Sequence, residues 1–167
     1  MSGKKYALKR LAPSDLTIFR YHYERSATRQ KAINLDKKIF LGQDLYPALH
    51  DPILKHGHVV NLAILLSGPG DRKSISLHQK IMLQQKNVRI GAAIIDAPSD
   101  DPDRFSGLAK NDFALIAFQG EKAPTNALIC LLARNEPIDR PIIDSILLKY
   151  GNVFNSNKAM KVLSRTN

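Results

Sequence analysis

The chain has 167 residues, enough for one domain with its own core, and 44% hydrophobic against 24% charged residues excludes a disordered tract. No apolar run reaches the ~18–20 residues of a membrane-spanning helix, the basic start MSGKKYALKR leads into no secretion signal, and a single cysteine, Cys130, excludes a disulfide framework or a cysteine-rich zinc site. Twenty-five Lys and Arg against 15 Asp and Glu give a net charge of +10, so a cytoplasmic, strongly basic domain without membrane association is expected.

Residues 6–11 predict a first short strand, with Tyr6, Leu8 and Leu11 apolar. Pro13-Ser14-Asp15 has the form of a helix start with Ser14 as its cap. Leu16, Phe19 and Tyr23 follow at i, i+3 and i+7, one helical stripe that places Tyr23 in the core. Residues 25–31, RSATRQK, have nothing to bury and predict a basic loop. Over 31–41, Ile33, Leu35, Ile39 and Leu41 recur with period two, which predicts one strand ended by Gly42. Tyr46-Pro47 and Asp51-Pro52 mark a bend. The nearly continuous apolar run 58–66 predicts a strand covered on both faces, and SGPGD at 67–71 predicts a turn.

Residues 73–83 alternate again, with Ile75, Leu77, Ile81 and Leu83 on one side and Ser74, Ser76, His78 and Lys80 on the other; a helix over 77–85 is the alternative. A basic turn at 86–89 leads into a strand over 90–95, and DAPSDDPDR at 96–104 is an acidic loop. Residues 113–118 and 127–133 predict two strands joined by GEKAPTN. Asp139 is placed as the cap of a helix with Pro141 in its first turn. Ile142, Ile143, Ile146, Leu147 and Tyr150 recur at helical spacing, and Gly151 sits where a C-terminal stop belongs. A last short helix is expected over 156–163. The sum is an α+β domain over residues 1–150: a curved, mainly antiparallel sheet or partly open pseudobarrel of six or seven strands with flanking helices. Residues 151–167 are expected to form a C-terminal helical extension or linker. Strands and helices do not alternate, which argues against a doubly wound parallel sheet.

The charge is segregated. Residues 1–90 hold 16 Lys and Arg against 6 Asp and Glu, whereas 91–167 hold nine of each. A one-sided charge makes an electrostatic face, and the natural partner of such a face is a polyanion such as nucleic acid. Arg20, Arg25, Arg29, Lys31, Lys73, Lys80, Lys86 and Arg89 are the candidate phosphate contacts. Gln30, Asn34, His78, Gln85 and Asn87 are the candidates for base edges. Aromatic residues make up only 7% with no Trp, which favours duplex DNA over single strands held by stacking.

Two other readings compete. A Mg²⁺-dependent nuclease would hold its metal with Asp15 and Asp36, with Lys38 two residues on along a strand to activate water. A basic protein-interaction module would need no nucleic acid. His56-Gly57-His58 with Asp51 falls short of the ligands a metal site needs. Ser67-Gly68-Pro69-Gly70 lacks the glycine spacing of a phosphate loop, and Cys130 inside an apolar strand reads as a buried thiol. No cofactor is expected outside the nuclease reading.

The stretches QKAINLDKKIF with LYPAL downstream, SGPGD leading to SLHQKIMLQQKNVRI, and NDFALIAF before a hairpin give the chain a pattern that resembles the DNA-binding pseudobarrel group. That group includes the effector-binding N-terminal domains of EcoRII-type restriction enzymes and the plant B3 transcription-factor domains. The resemblance covers the chain to about Tyr150. It implies a non-catalytic domain of a bacterial restriction or defence protein, with further domains or subunits as partners. Duplex DNA would lie in a wrench-like cleft between two arms, here residues 20–31 and 73–89.

Overall fold

The computed structural model describes residues 5–27, 29–50, 58–84, 86–154 and 159–163. Eight strands are β1 (Lys5–Arg10), β2 (Ala32–Leu35), β3 (His58–Ser67), β4 (Ile75–Leu83), β5 (Val88–Gly91), β6 (Phe113–Gln119), β7 (Asn126–Leu132) and β8 (Met160–Leu163). They form one sheet in the order β2-β5-β4-β3-β7-β6-β1-β8. Every neighbouring pair is antiparallel except β3 and β7, which run parallel.

The sheet curls until it is nearly closed. Its inward residues meet in a single core to which each strand contributes, among them Ala7, Ile33, Ile64, Ile81, Ile90, Ile116, Ile129 and Met160. The edge strands β2 and β8 do not pair. The helical turn α3 (Lys37–Phe40), which follows β2, packs against β8 instead. Phe40, Tyr46 and Phe118 plug this part of the core, with ring centroids 5.5 to 6.0 Å apart. Burial without a hydrogen-bond partner pushes the Tyr46 phenol up to about 12.

Helix α4 (Arg140–Phe154) covers part of the outer face. Ile143 and Phe154 form a second cluster there with Leu8, Phe113 and Leu132. Among the described residues no helix is long and apolar enough to cross a membrane.

Several elements depart from the periodicity of the sequence. The first helix is broken into α1 (Pro13–Leu16) and α2 (Arg20–Glu24). Between them Phe19 forms an isolated parallel bridge with Ile95 and stacks on Phe105 at 4.4 Å, a tertiary pairing that overrides the helical stripe. The N-cap of α1 is Ala12 rather than Ser14; Asp15 accepts a hydrogen bond from the Ala12 amide at 2.8 Å. Helix α2 buries none of its residues, so Tyr23 is half-exposed rather than in the core.

The strand expected over 31–41 stops at Leu35, because the Asp36 side chain accepts from the Ile39 amide at 3.0 Å and starts α3. Strand β3 is covered on one face only: Leu62, Ile64 and Leu66 are buried, while Val59, Ala63 and Leu65 are exposed. The carboxylate of Asp139 does not cap α4; it accepts from Gly70 N and Ala133 N at 2.8 and 3.0 Å and so ties the 67–71 turn to the end of β7. Gly151 does not stop α4, which continues to Phe154. Residues 160–163, expected to be helical, form β8 and pair with β1, which buries Met160 in the core. The sheet has eight strands rather than six or seven, and the parallel β3–β7 pair makes it mixed.

Candidate nucleic-acid interface

No strand contains an Asp or Glu, and together the eight strands carry six Lys and Arg: Lys5, Lys9, Arg10, Lys80, Arg89 and Lys161. Lys9 is turned inward, 3.5 Å from the fully buried Asp15, and Arg10 donates to the Phe154 carbonyl. The strand cations left on the outer face away from α1 and α4 are Lys80 and Arg89.

Register decides what surrounds them. Ala32, Gly91, Lys80 and Asn61 lie in one row across β2, β5, β4 and β3. Asn34, Arg89, Met82 and Val59 form the next row. Strands stand ~4.8 Å apart, so Lys80 is ~10 Å from Ala32 and from the end of the 25–31 loop that precedes it. A side chain on Gly91 would come within 2.3 Å of the Lys31 carbonyl, so glycine is what lets the loop close on β5. The end of the first arm implied by the resemblance, residues 20–31, therefore lies about two strand spacings from Lys80 of the second, residues 73–89.

A cleft of about 570 Å³ lies beside this edge, lined by Asn61, Ala63, His78, Lys80 and Ala93 among others. The inward-turned Gln79 holds its rim: Nε2 donates to Ala93 O at 2.9 Å, and Ala93 N donates back to Oε1 at 3.1 Å.

The expected contact residues divide into three groups. Lys31, Lys73, His78, Lys80 and Lys86 are exposed, and among the described residues none of these lysines has an ion-pair partner. Arg25 and Arg29 are exposed and held on tyrosines. The Arg25 guanidinium lies 3.8 Å from the Tyr21 ring centre and donates to Tyr21 O at 2.8 Å. Arg29 lies 5.1 Å over Tyr23 and donates to its carbonyl at 3.1 Å. The Lys31 ammonium lies 5.7 Å from the centre of the same Tyr23 ring. The remaining residues are paired or partly buried. Arg20 is paired with Asp96, whose hydrogen bond and charge raise its pKa. Gln30 Nε2 donates to Asn34 Oδ1 at 2.7 Å, and Asn34 Nδ2 donates to Asp15 Oδ1 at 3.3 Å, so neither amide is turned to a ligand. Asn87 and Arg89 are half-buried, with Asn87 Oδ1 and Arg89 Nε buried and, among the described residues, without a partner. Gln85, and His56 and Asp51 of the histidine motif, lie outside the described residues.

The acids weighed for a nuclease are occupied by backbone. Asp15 is 0% exposed and accepts from Ala12 N and Asn34 N, both at 2.8 Å. Asp36 caps α3, so Asp36 and Lys38 are not on a strand. Among the described residues no three His, Cys, Asp or Glu side chains are grouped to hold a metal. Cys130 is half-buried against the cluster under α4.

Sequence reasoning assigned no role to Tyr21, Gln119 or Asn126. Tyr21 could have been found from the four-residue spacing to Arg25, which places the two side chains together on a helical turn. Gln119 and Asn126 are exposed and directly opposite in the β6–β7 register. Only the parallel pairing of β3 with β7 brings them to the basic half, and nothing in the sequence announces that pairing.

No protein-family model matches the chain, and no curated protein matches it. Among solved structures the chain is similar to the N-terminal domain of Helicobacter pylori LlaJI.R1, at 13% identity and a TM-score of 0.48, over 96% of this chain and 98% of that one.

Proposed function

We propose that the chain is a non-catalytic domain that binds double-stranded DNA, of the kind carried by bacterial restriction and defence proteins. The observation that carries this reading is the outer sheet face of β2, β5, β4 and β3, whose strands carry no carboxylate and which is bordered by the exposed cations Lys31 and Lys80 at one end of β5 and Lys86 in the β4–β5 turn at the other. Phosphates pair with lysine and arginine without regard to sequence, and base edges are read by side chains in the groove between them. Arg25 and Arg29 supply cations already ordered by Tyr21 and Tyr23, which lowers the entropy cost of fixing them on phosphate. Fluorescence anisotropy against duplex DNA, single-stranded DNA and duplex RNA over a salt series tests the reading. Binding should favour duplex DNA and fall with salt, with a log–log slope of roughly −0.9 per phosphate neutralised. Absence of binding to all three at low salt would overturn it.

A further inference from the structure

The outer face beyond His78 changes character. Leu65 on β3 and Leu128 on β7 are directly opposite in register and 41% and 39% exposed, an adjacent apolar pair on an otherwise polar part of the face. In the next row Gln119, Asn126, Ala63 and His78 lie side by side across β6, β7, β3 and β4. The two rows are ~7 Å apart, two residues along the strands. They line a groove of about 400 Å³. No carboxylate lies on any of these strands, and the exposed Lys73 and Lys80 flank the patch before and within β4.

An apolar centre with amides beside it and the lysines Lys73 and Lys80 near it offers the groups that match those of the DNA major groove, where phosphates form the rims and base edges the floor. Asparagine or glutamine makes paired hydrogen bonds to adenine N6 and N7, and apolar side chains contact the C5-methyl group of thymine. An A·T pair offers both on one edge. We infer that this groove reads an A·T pair, with Leu65 and Leu128 on a pyrimidine methyl and Asn126 or Gln119 on adenine. The inference rests on the duplex-binding reading above. 5-Methylcytosine carries the same methyl group but is paired with guanine, which lacks the adenine N6 donor.

The test starts from a randomised duplex library enriched on the wild-type chain. The enriched duplex is then made with deoxyuridine for thymidine, with 7-deazaadenine for adenine, and with 5-methylcytosine for cytosine. Removing a buried methyl should weaken binding about three- to fivefold. The deaza substitution should also weaken it, whereas 5-methylcytosine should leave affinity unchanged. In Leu65→Ser and Leu128→Ser, both at exposed positions, the thymidine–deoxyuridine difference should vanish while the salt slope stays that of wild type. Equal affinity for the thymidine and deoxyuridine duplexes, or a difference that survives both variants, would overturn the inference and leave duplex binding standing. A gain with 5-methylcytosine and no loss with deoxyuridine would assign the methyl contact to the modified base and overturn the A·T assignment. Failure of the library to enrich, with no binding to any duplex, would remove both readings.

Discussion

The outer face of this sheet has two halves that differ in what their outward residues ask for. Around β1, β6 and the end of β7, the outward residues are Leu8, Phe113 and Leu132, and α4 covers them with Ile143 and Phe154. Around β5, β4, β3 and the start of β7, they are Arg89, Lys80, His78, Asn61 and Asn126, together with Leu65 and Leu128, and among the described residues no helix covers them. Strand β7 passes from one regime to the other within seven residues. The same alternation builds both halves; the covered one is explained by stability, and the bare one is where the proposed DNA contacts lie. The lesson is that outward residues, read after the inward ones have been assigned, separate scaffold from interface.

The largest effects should come from the covered half. Phe154→Ala removes the ring packed edge-to-face against Phe113 at 5.3 Å and should cost about 3–5 kcal/mol of stability by chemical denaturation. The protein that remains folded should bind DNA with an unchanged salt slope. A lost slope would mean that α4 belongs to the interface and that the two halves are not separate.

Close behind is the buried pair of Lys9 and Asp15. Asp15→Ala leaves Lys9 buried without its partner and frees the Ala12 and Asn34 amides, a loss of about 3 kcal/mol or more. Its measured unfolding free energy should fall accordingly. A nuclease using Asp15 would instead lose Mg²⁺-dependent cutting at wild-type stability.

Smaller in energy, and specific to the bare half, is Lys80→Ala. It should leave the thermal midpoint unchanged and lower the magnitude of the DNA salt slope by roughly 1. Arg20→Ala is the contrast, since Arg20 is already paired with Asp96; its slope should match wild type.

The smallest effect is one of pH. His22 is half-buried with Nε2 3.0 Å from Phe105 O, and burial holds its pKa below the ordinary 6.5. The unfolded chain therefore takes up the proton first, and stability is lost as pH falls below 6.5 toward the folded value. Thermal midpoints measured on acidification should decline less in His22→Gln than in wild type.

Much of the sheet was legible because period two is a strong signal wherever one face is buried. Ile75 to Leu83 is the clearest case: Ser76, His78 and Lys80 are exposed and Ile81 and Leu83 buried, as the alternation requires. Local pattern failed where a single tertiary contact outweighed it. Phe19 gave up its helical turn to bridge Ile95, and Asp36 turned a continuing alternation into a cap. Of the candidate interface, the cationic residues were visible as charge. Which of them stay free was not, because the pairing of Arg20 with Asp96 and of Asn34 with Asp15 joins residues far apart in the chain.

The central claim is that position on the bare face, and not net charge, confers DNA binding. Two triple variants with the same change in charge test it: Lys31, Lys80 and Lys86 to Gln on the bare half, and Lys110, Arg134 and Lys149 to Gln elsewhere on the surface, all six exposed. The account predicts that the first loses roughly three phosphate contacts from the salt slope and the second keeps it. Equal losses in both, or loss in the second alone, would contradict the account.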